Sequence, residues 1–553
     1  MAGTVARIGW GVLILVTLYV CYFSHLGAIG FVGPDEPRYA WIARDMVETG
    51  DWVTPRLYGQ PWFEKPPLYY WGAAVSFKVF GVSEAAARLP SAISALLATL
   101  ALAWLAWRLY GGETARWLLL LLPTTVGMIG FSHAAATDMP FSGMLTIAMV
   151  CAAVVLGLTR NENSPILRPT PWLALILFGF FLGLAVLAKG PAAIILSGGA
   201  VFFWAIFTKR WRDGFRLFHP VAISVFCLTS LPWYILCARR NPDFFRIFII
   251  EHNFKRFLTP EFQHIQPFWF YGPIMLLALI PWIALLLPQW TDLREEWRTG
   301  FPRRSTFLLF LCWAGFTLLF FSMSKSKLPG YVLPAVPPIV LLLAEACRHL
   351  KEKTVKIQQW TGVLFACTVL GLAVGILRVA GWNFSKLEPH ADVHYPILDR
   401  LPFCILLVGG ISVLALAVKV RNDAAFQVGV GTLLLALLTF FSSSMLSLDD
   451  LSARRFANPP EWTVQKYAHG EVAYYELQRS YQYALSFYLR EELPQWSQGD
   501  VNPKWVFTDF KNAQDAIKAG LACNTRVFIV KNPIVICENP KSAAGSPSGG
   551  QSK

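Results

Sequence analysis

Long apolar runs separated by short polar segments dominate the chain up to residue 446. An α-helix needs about 20 mostly apolar residues to cross the hydrocarbon core of a bilayer. Thirteen runs come close to that length, near residues 8–30, 90–110, 115–133, 137–158, 172–188, 190–208, 219–237, 269–288, 305–323, 331–349, 358–380, 401–420 and 424–446. The pattern therefore predicts a polytopic all-α membrane protein with about 13 transmembrane helices.

Composition agrees with this prediction and excludes other classes. Of the 553 residues, 55% are apolar and only 15% are charged, whereas an average soluble domain has about 25% charged residues. A soluble enzyme and a disordered chain are thereby excluded for most of the length. The net charge of +14 fits basic loops on the cytoplasmic side or an anionic lipid headgroup as ligand, so no nucleic acid partner is expected.

The pattern divides the chain into a membrane domain, residues 1–446, and a C-terminal region, residues 447–553. With Arg7 inside, an odd number of spans places the C-terminal region outside. Alternating residues there predict a small α/β domain, and a Gly/Ser/Pro-rich end predicts a disordered tail over 539–553. The predicted strands are Val472–Leu477, Trp505–Phe510, Val527–Val530 and Ile534–Cys537, and the predicted helices are Glu461–Ala468 and Ala513–Lys518. Cys523 and Cys537 would lie in an oxidising compartment, where we expect a structural disulfide.

The first outer loop, residues 31–89, is long and carries two charged groups. It opens with the sequence GPDEPRY (33–39), which places Asp35 and Glu36 where the first span leaves the bilayer. One explanation is a helix cap at Asp35, but a cap leaves the second group, WFEKPPLYYW (62–71), unexplained. There Glu64 and Lys65 stand among five aromatic residues. An amphipathic helix lying on the bilayer is an alternative, and it would hold both charges at headgroup depth.

Near the end of this loop, Glu84 and Arg88 are four residues apart on a predicted helix. Side chains at this spacing face each other on one side of a helix. We therefore interpret them as a structural ion pair.

Ionisable residues recur at the outer ends of later spans. A charge in hydrocarbon costs about 2.5–3.5 kcal/mol on insertion scales. The long side chain of a single lysine can avoid this cost by extending its ammonium to the membrane interface. Several cations at one membrane face favour a phosphate-binding role instead. The residues concerned are Asp138, Lys189, Glu251, His252, Lys255, Arg256, Lys325 and Lys327. Glu64 and His252 are also candidate metal ligands. His252 has one neighbouring carboxylate, Glu251, and a lone histidine with one carboxylate is not a specific metal-binding pattern.

Carboxylates, cations and an aromatic rim at one membrane face suit transfer of a group from a lipid phosphate carrier. Sugar transfer passes through an oxocarbenium-like state. A carboxylate can stabilise that positive charge, or it can act as the general base. Cations can hold the departing phosphate. No Walker A, GxGxxG, HExxH or GxSxG element competes with this interpretation.

These residues also carry a family resemblance. The segments GPDEPRYA (33–40), GDWVTPRL (50–57), FEKPPLYYW (63–71) and FGVSEAAARLP (80–90) resemble the 4-amino-4-deoxy-L-arabinose lipid A transferases. AKGP (188–191) and KSKLPGYVLP (325–334) are similar as well. That family belongs to the membrane glycosyltransferases of GT-C type, beside the protein O-mannosyltransferases.

The resemblance implies an enzyme that moves the aminosugar from undecaprenyl phosphate to lipid A phosphates. It would work at the periplasmic side of a Gram-negative inner membrane and would lower the binding of polymyxin and other cationic peptides. No cofactor is expected to be required, and dependence on a divalent metal is left open.

The resemblance also assigns residues. Asp35 is the first catalytic carboxylate, as stabiliser or base, with Asp138 as a second acidic position and Glu64 as a contact for the sugar amine. The residues expected to bind the carrier or acceptor phosphates are Arg38, Tyr39, Lys65, Lys189, Arg256, Lys325, Lys327 and Tyr331.

Two alternatives remain. A protein O-mannosyltransferase-like enzyme would use a polyprenyl-phosphate hexose and an unfolded Ser/Thr segment, and the cation-rich outer loops argue for a phosphorylated acceptor instead. A lipid flippase or secondary transporter would place its charges near the bilayer midplane and show repeat symmetry, neither of which is evident in the sequence.

Overall fold

The computed structural model describes residues 2–159, 171–255, 258, 265–299, 305–379, 400–444, 449, 452–457, 470–523 and 534–543. These residues are mostly helical. Up to residue 240 the α-helices are Ala2–Tyr22, Asp35–Thr49, Leu68–Phe80, Glu84–Tyr110, Gly112–Leu121, Val126–Ser132, Asp138–Val155, Pro171–Lys189, Ala192–Thr208, Trp211–Phe215 and Pro220–Arg240. After it they are Tyr271–Leu279, Leu286–Thr299, Ser305–Met323, Val336–His349, Val355–Val379, Leu401–Val418, Asn422–Thr439, Ala453–Ala457, Arg479–Leu489, Ala513–Lys518 and Pro540–Ala543.

Helices of the 3-10 and π types extend or connect these elements. The 3-10 helices are Arg216–Phe218, Phe268–Phe270, Trp282–Leu285, Pro329–Ala335, Leu350–Glu352 and Phe510–Asn512. The π-helices are Arg246–Lys255 and Phe440–Ser444.

Among the described residues, nine helices are long and apolar enough to cross a membrane. Two bent pairs would each add one span: Gly112–Leu121 with Val126–Ser132, at 61°, and Phe268–Leu279 with Trp282–Thr291, at 108°. Two shorter apolar helices, Ile8–Tyr22 and Ala192–Thr208, fall on the remaining predicted runs. Length and composition thus support nine to eleven spans, and the count of thirteen stays a prediction.

Both bends follow from the sequence. Pro123 lies in the break of the first pair and Pro281 in the break of the second. Proline lacks an amide hydrogen and its ring clashes with the preceding turn, so a helix ends or kinks there. By contrast, Asp138–Val155 lies in the core of the bundle, since 89% of it is buried inside the protein.

The first outer loop folds into two helices and a short hairpin. The helix Asp35–Thr49, here called the loop helix, ends at Gly50, whose φ of 73° is the left-handed conformation that glycine adopts at low cost. Arg56–Leu57 pairs with Gln60–Pro61 in an antiparallel hairpin. The alternative of an amphipathic helix over 62–71 is wrong for its first half: helix Leu68–Phe80 begins only after two prolines, so Glu64 and Lys65 lie in a non-helical segment.

The described part of the C-terminal region contains a four-stranded sheet, three strands of which the alternating pattern predicts; the fourth, Ala522–Cys523, was not predicted. The strand order is Val472–Tyr475, Trp505–Asp509, Ile534–Glu538 and Ala522–Cys523, with the first pair parallel and the others antiparallel. The disulfide Cys523–Cys537 joins the last two strands and confirms that prediction. The predicted helix Ala513–Lys518 is present, whereas Glu461–Ala468 and Val527–Val530 lie outside the described residues.

Two features of this region differ from the sequence prediction. The helix Arg479–Leu489, here called the docking helix, was not predicted; it crosses between the two parallel strands and packs on the loop helix. The tail predicted over 539–553 is ordered at its start, because Asn539 is buried and donates to the carbonyls of Asp500 and Pro503 at 2.9 and 3.0 Å. Residues 544–553 lie outside the described part of the chain.

Candidate active site

The start of the loop helix and the segment before helix Leu68–Phe80 bring four predicted charges together. Arg38 pairs with Asp35 one turn earlier, and its guanidinium also lies 3.3 Å from a carboxylate oxygen of Glu64. The ammonium of Lys65 lies 3.4 Å from the other oxygen of Glu64. We call Asp35, Arg38, Glu64 and Lys65 the loop cluster. Its carboxylates and cations alternate, so cations that could hold a phosphate lie beside carboxylates that could stabilise a positively charged transition state.

Solvent access differs within the loop cluster. The Asp35 side chain is 49% exposed, whereas those of Arg38, Glu64 and Lys65 are 11–14% exposed. Burial alone would lower the pKa of Arg38, but the charges of Glu64 and Asp35 outweigh it and raise that pKa above its ordinary value. Arg38 therefore stays a cation in a partly desolvated setting, where its attraction to a phosphate is stronger than in water.

Aromatic rings surround Arg38. Its guanidinium carbon lies 5.9 Å from the ring centroid of Tyr39 and 5.6 Å from that of Trp62, within cation–π range. Tyr39 itself is 2% exposed and packs against Tyr69 and Tyr70. In this structure Tyr39 supports Arg38 and offers little open surface, so its expected contact with substrate stays a prediction.

The interpretation of Glu84 and Arg88 as one ion pair is wrong. Arg88 instead donates to both carboxylate oxygens of Glu36, at 3.0 and 2.8 Å, and to three backbone carbonyls of the segment before the loop helix. Glu84 accepts hydrogen bonds from Arg454 and from the Tyr488 hydroxyl, both in the C-terminal region. Neighbouring turns of one helix thus serve two different long-range contacts.

A second set of predicted residues meets at the start of helix Asp138–Val155. The Lys189 ammonium lies 2.5 Å from a carboxylate oxygen of Asp138, and it also lies 4.7 Å from the ring centroid of Tyr331. Gly330 touches the same carboxylate so closely that a Cβ there would lie 2.8 Å from the Asp138 carboxyl carbon. We call Asp138, Lys189 and Tyr331 the core cluster.

The lysines of the KSKLPGY segment have different surroundings. Lys325 is exposed. Lys327 is 6% exposed, and its ammonium donates to the carbonyls of Gln266 and Ser324 at 3.0 and 2.6 Å. Burial and the charge of Lys325 lower the pKa of Lys327. A phosphate would have to compete with those carbonyls for Lys327, whereas Lys325 lies open to solvent.

Two further predicted residues are placed less completely. Arg256 lies outside the described residues. His252 is in the π-helix Arg246–Lys255, and within the described residues no group of three or more His, Cys, Asp or Glu side chains is arranged to hold a metal ion. The expectation that no cofactor is required therefore stays a prediction.

Glu36 connects the two clusters through the backbone. It follows Asp35 directly, and one of its oxygens accepts a hydrogen bond of 2.7 Å from the amide of Ala135, three residues before Asp138. The Ser91 hydroxyl holds the same segment by donating to the carbonyl of Ala134 at 2.7 Å. The segments that carry Asp35 and Asp138 are thus held together by the buried side chain of Glu36.

Comparison with known proteins decides the family. The sequence profile of the family Dolichyl-phosphate-mannose-protein mannosyltransferase matches residues 10–248. The undecaprenyl phosphate-alpha-4-amino-4-deoxy-L-arabinose arabinosyl transferase of Edwardsiella ictaluri is 33% identical over 432 residues, covering 77% of this chain and 76% of that protein. The chain belongs to this arabinosyl transferase family. A relative of the same name from Pectobacterium atrosepticum is 30% identical, covering 80% and 78% of the two chains.

The fold agrees with that membership. The crystal structure of ArnT from Cupriavidus metallidurans bound to undecaprenyl phosphate has a TM-score of 0.76 to this structure at 24% identity, covering 97% of this chain and 99% of that one. The expected recognition as a membrane glycosyltransferase is confirmed. As an arabinosyl transferase with many apolar helices, the chain is a multi-pass enzyme of the inner membrane that uses a lipid-linked sugar.

The sequence did not reveal every residue around the loop cluster. The Tyr483 ring, on the docking helix, lies 5.3 Å from the Arg38 guanidinium. The docking helix has apolar residues at helical spacing, Ala484, Leu485 and Tyr488 among them, and that periodicity is the signal that could have located it. Its contact with Arg38 has no signal in the sequence, because 445 positions separate the two residues.

Proposed function

We propose that this enzyme transfers 4-amino-4-deoxy-L-arabinose from undecaprenyl phosphate to phosphate groups of lipid A, at the periplasmic face of the inner membrane. Family membership supports the donor, since the relatives are named for it. The observation that carries the chemistry is the loop cluster, in which Arg38 bridges Asp35 and Glu64 beside Lys65. The product would be a less anionic lipid A, to which polymyxin and similar cationic peptides bind less well.

The proposed reaction needs little proton transfer. An ionised phosphate oxygen of the acceptor attacks C1 of the sugar while the bond from C1 to the donor phosphate oxygen breaks. The bonding pair leaves with undecaprenyl phosphate, whose phosphate gains one negative charge. Arg38 and Lys65 would stabilise that charge, and Asp35 would stabilise the positive charge that develops on the sugar ring.

Roles follow for the remaining predicted residues. Glu64, which lies between Arg38 and Lys65, would accept a hydrogen bond from the sugar amine. The acceptor phosphate would be bound by Lys189 and Tyr331 of the core cluster, together with Lys325 and Arg256. Asp138 would fix the Lys189 ammonium by their contact of 2.5 Å.

Two observations support the periplasmic assignment. The Cys523–Cys537 disulfide lies in the C-terminal region, and disulfides persist in oxidising compartments such as the periplasm. That region packs on the first outer loop through the docking helix, so both lie at the same membrane face. Thirteen spans, with residues 1–446 as the membrane domain and 447–553 as the periplasmic domain, would connect them with a cytoplasmic N-terminus.

The test is transfer by the purified full chain. Enzyme in detergent is incubated with the undecaprenyl phosphate aminosugar donor and lipid A, and mass spectrometry measures the sugar on lipid A. We expect transfer by the wild type and a loss of about 100-fold or more in Asp35→Asn, the usual size for removing an electrostatic group that acts in the transition state. Glu48→Gln is the matched control, because Glu48 is a 61% exposed carboxylate on the same helix.

A second donor separates the main alternative. The profile match over residues 10–248 justifies a parallel incubation with a polyprenyl-phosphate mannose and a Ser/Thr-rich peptide. Transfer to the peptide with none to lipid A would overturn the proposal in favour of a protein O-mannosyltransferase activity.

A further inference from the structure

We infer that Tyr483 of the C-terminal region is a positioning residue for Arg38 and thereby sets the affinity for the lipid phosphate. This inference rests on the proposed function, which makes Arg38 a phosphate ligand. It gives the C-terminal region a part in substrate binding.

Among the described residues, three rings lie within cation–π distance of the Arg38 guanidinium. Tyr39 and Trp62 belong to the first loop, at 5.9 and 5.6 Å, and Tyr483 on the docking helix is nearest, at 5.3 Å. Such contacts strengthen when the cation is partly desolvated, and the Arg38 side chain is 12% exposed. Without Tyr483, Arg38 would gain water and rotamer freedom on one side.

The Tyr483 ring is held in place on its own side. It stacks on Tyr58 of the first-loop hairpin, with centroids 6.4 Å apart and planes 21° apart. A ring between Tyr58 and Arg38 has little freedom to rotate away. The first loop and the docking helix thus share one stack of groups that ends at the loop cluster.

Hydrogen bonds fix the docking helix on the loop at two other points. Arg44 of the loop helix donates to the carbonyl of Phe487 at 2.9 Å. The Tyr488 hydroxyl accepts from the amide of Phe31 at 2.9 Å and donates to Glu84 at 2.8 Å. These contacts are independent of Tyr483, so its removal should leave the two parts docked.

Tyr481 provides a matched control on the same helix. It lies two positions away, but it packs in the apolar core of the C-terminal region with Leu485 and Phe507. Tyr481→Ala removes the same side chain from that core. Any general loosening of the C-terminal region should therefore be seen in Tyr481→Ala as well.

The experiment measures binding of undecaprenyl phosphate to the full-length enzyme in detergent, by microscale thermophoresis, so it does not depend on turnover. We expect Tyr483→Ala to weaken binding by about 2-fold to 30-fold, the range of one cation–π contact. Tyr483→Phe, which keeps the ring, should bind as the wild type does, and Tyr481→Ala should do the same. In an Arg38→Gln background, Tyr483→Ala should have no further effect.

Several results would overturn the inference while leaving the proposed function intact, provided that the wild type transfers the sugar. These are unchanged binding in Tyr483→Ala, equal weakening in Tyr483→Phe or in Tyr481→Ala, and a full additional loss in the Arg38→Gln background. A wild type that neither binds undecaprenyl phosphate nor transfers the aminosugar would overturn the proposed function and this inference with it.

Discussion

Arg88 donates hydrogen bonds to both carboxylate oxygens of Glu36, at 3.0 and 2.8 Å, in the interior of the first loop. The same two oxygens also accept the amides of Ala135 and Val32, each at 2.7 Å. The Arg88 side chain is 3% exposed and that of Glu36 10%. The pair therefore fixes both the start of the loop helix, where Asp35 lies, and the segment around Ala135 that leads to Asp138.

Glu36→Gln should destabilise the enzyme strongly. Removing one partner of a buried ion pair leaves the other charge uncompensated, at a cost of about 3–5 kcal/mol in the free energy of unfolding. We expect a clear fall in the melting temperature in detergent, measured by tryptophan fluorescence, together with a loss of transfer. Asp515→Asn breaks an exposed pair with Lys518 and should cost about 0–1 kcal/mol; equal melting temperatures for the two variants would refute the supporting role.

Local sequence patterns were sufficient for much of the fold. Apolar length located the membrane helices, and alternation located three strands of the C-terminal sheet. Each of these features depends on neighbours along the chain. Glu64 and Asp138 could likewise be found in the sequence, because both stand out as charged residues among aromatic or apolar neighbours. A helix does begin at Asp35, but Pro34 is its N-cap residue and no side chain caps it, so the cap predicted at Asp35 is wrong.

Partner choice could not be predicted in the same way. The i, i+4 rule paired Arg88 with Glu84. In the folded protein, however, Arg88 is buried beside three backbone carbonyls and the carboxylate of Glu36, and it bonds to these instead. Likewise nothing near Lys327 in the sequence indicates that its ammonium bonds to the carbonyl of Gln266. Long-range contacts depend on how whole elements pack, and one sequence does not encode them as a local pattern.

Gly330→Ala should disturb the core cluster without adding or removing charge. A Cβ at this position would lie 2.8 Å from the carboxyl carbon of Asp138 and 3.0 Å from the Phe131 ring. Asp138 would have to move away from Lys189, and we expect transfer to fall by about tenfold or more, since small displacements in a site are costly. Gly315→Ala is the control, because a Cβ there meets nothing within 4 Å; its activity should be unchanged, and a Gly330→Ala enzyme of wild-type activity would contradict the close contact.

Substitution of Lys327 should affect stability, whereas substitution of Lys325 should affect substrate binding. Lys327→Met leaves the buried carbonyl of Ser324 without its donor, and the exposed residue Gln266 loses the same partner. We therefore expect a lower melting temperature, by the equivalent of about 1–3 kcal/mol. Lys325→Met removes an exposed cation and should leave the melting temperature unchanged while raising the KM for lipid A. The KM difference should shrink at high salt because exposed charges are screened. A Lys327→Met enzyme with full stability and a raised KM would show that Lys327 binds phosphate instead.

Asp138 and Lys189 should be energetically coupled. Their side chains are 22% and 10% exposed, so each single variant, Asp138→Asn or Lys189→Met, leaves one charge poorly solvated and unpaired. The double variant removes both charges at once and should lose less kcat/KM than the product of the two single losses. Groups in direct contact typically show coupling of about 0.5–3 kcal/mol in such a cycle, and kcat/KM for aminosugar transfer converts into that energy.

The control cycle uses Lys518 and Asp515, whose side chains are 76% and 62% exposed at a separation of 3.0 Å. Exposed pairs contribute little, so their coupling should be close to zero. Strictly additive losses at Asp138 and Lys189 would mean that the two residues act on the reaction separately. Coupling there and none at the control would instead assign Asp138 its proposed role: it holds the Lys189 ammonium where a phosphate can reach it.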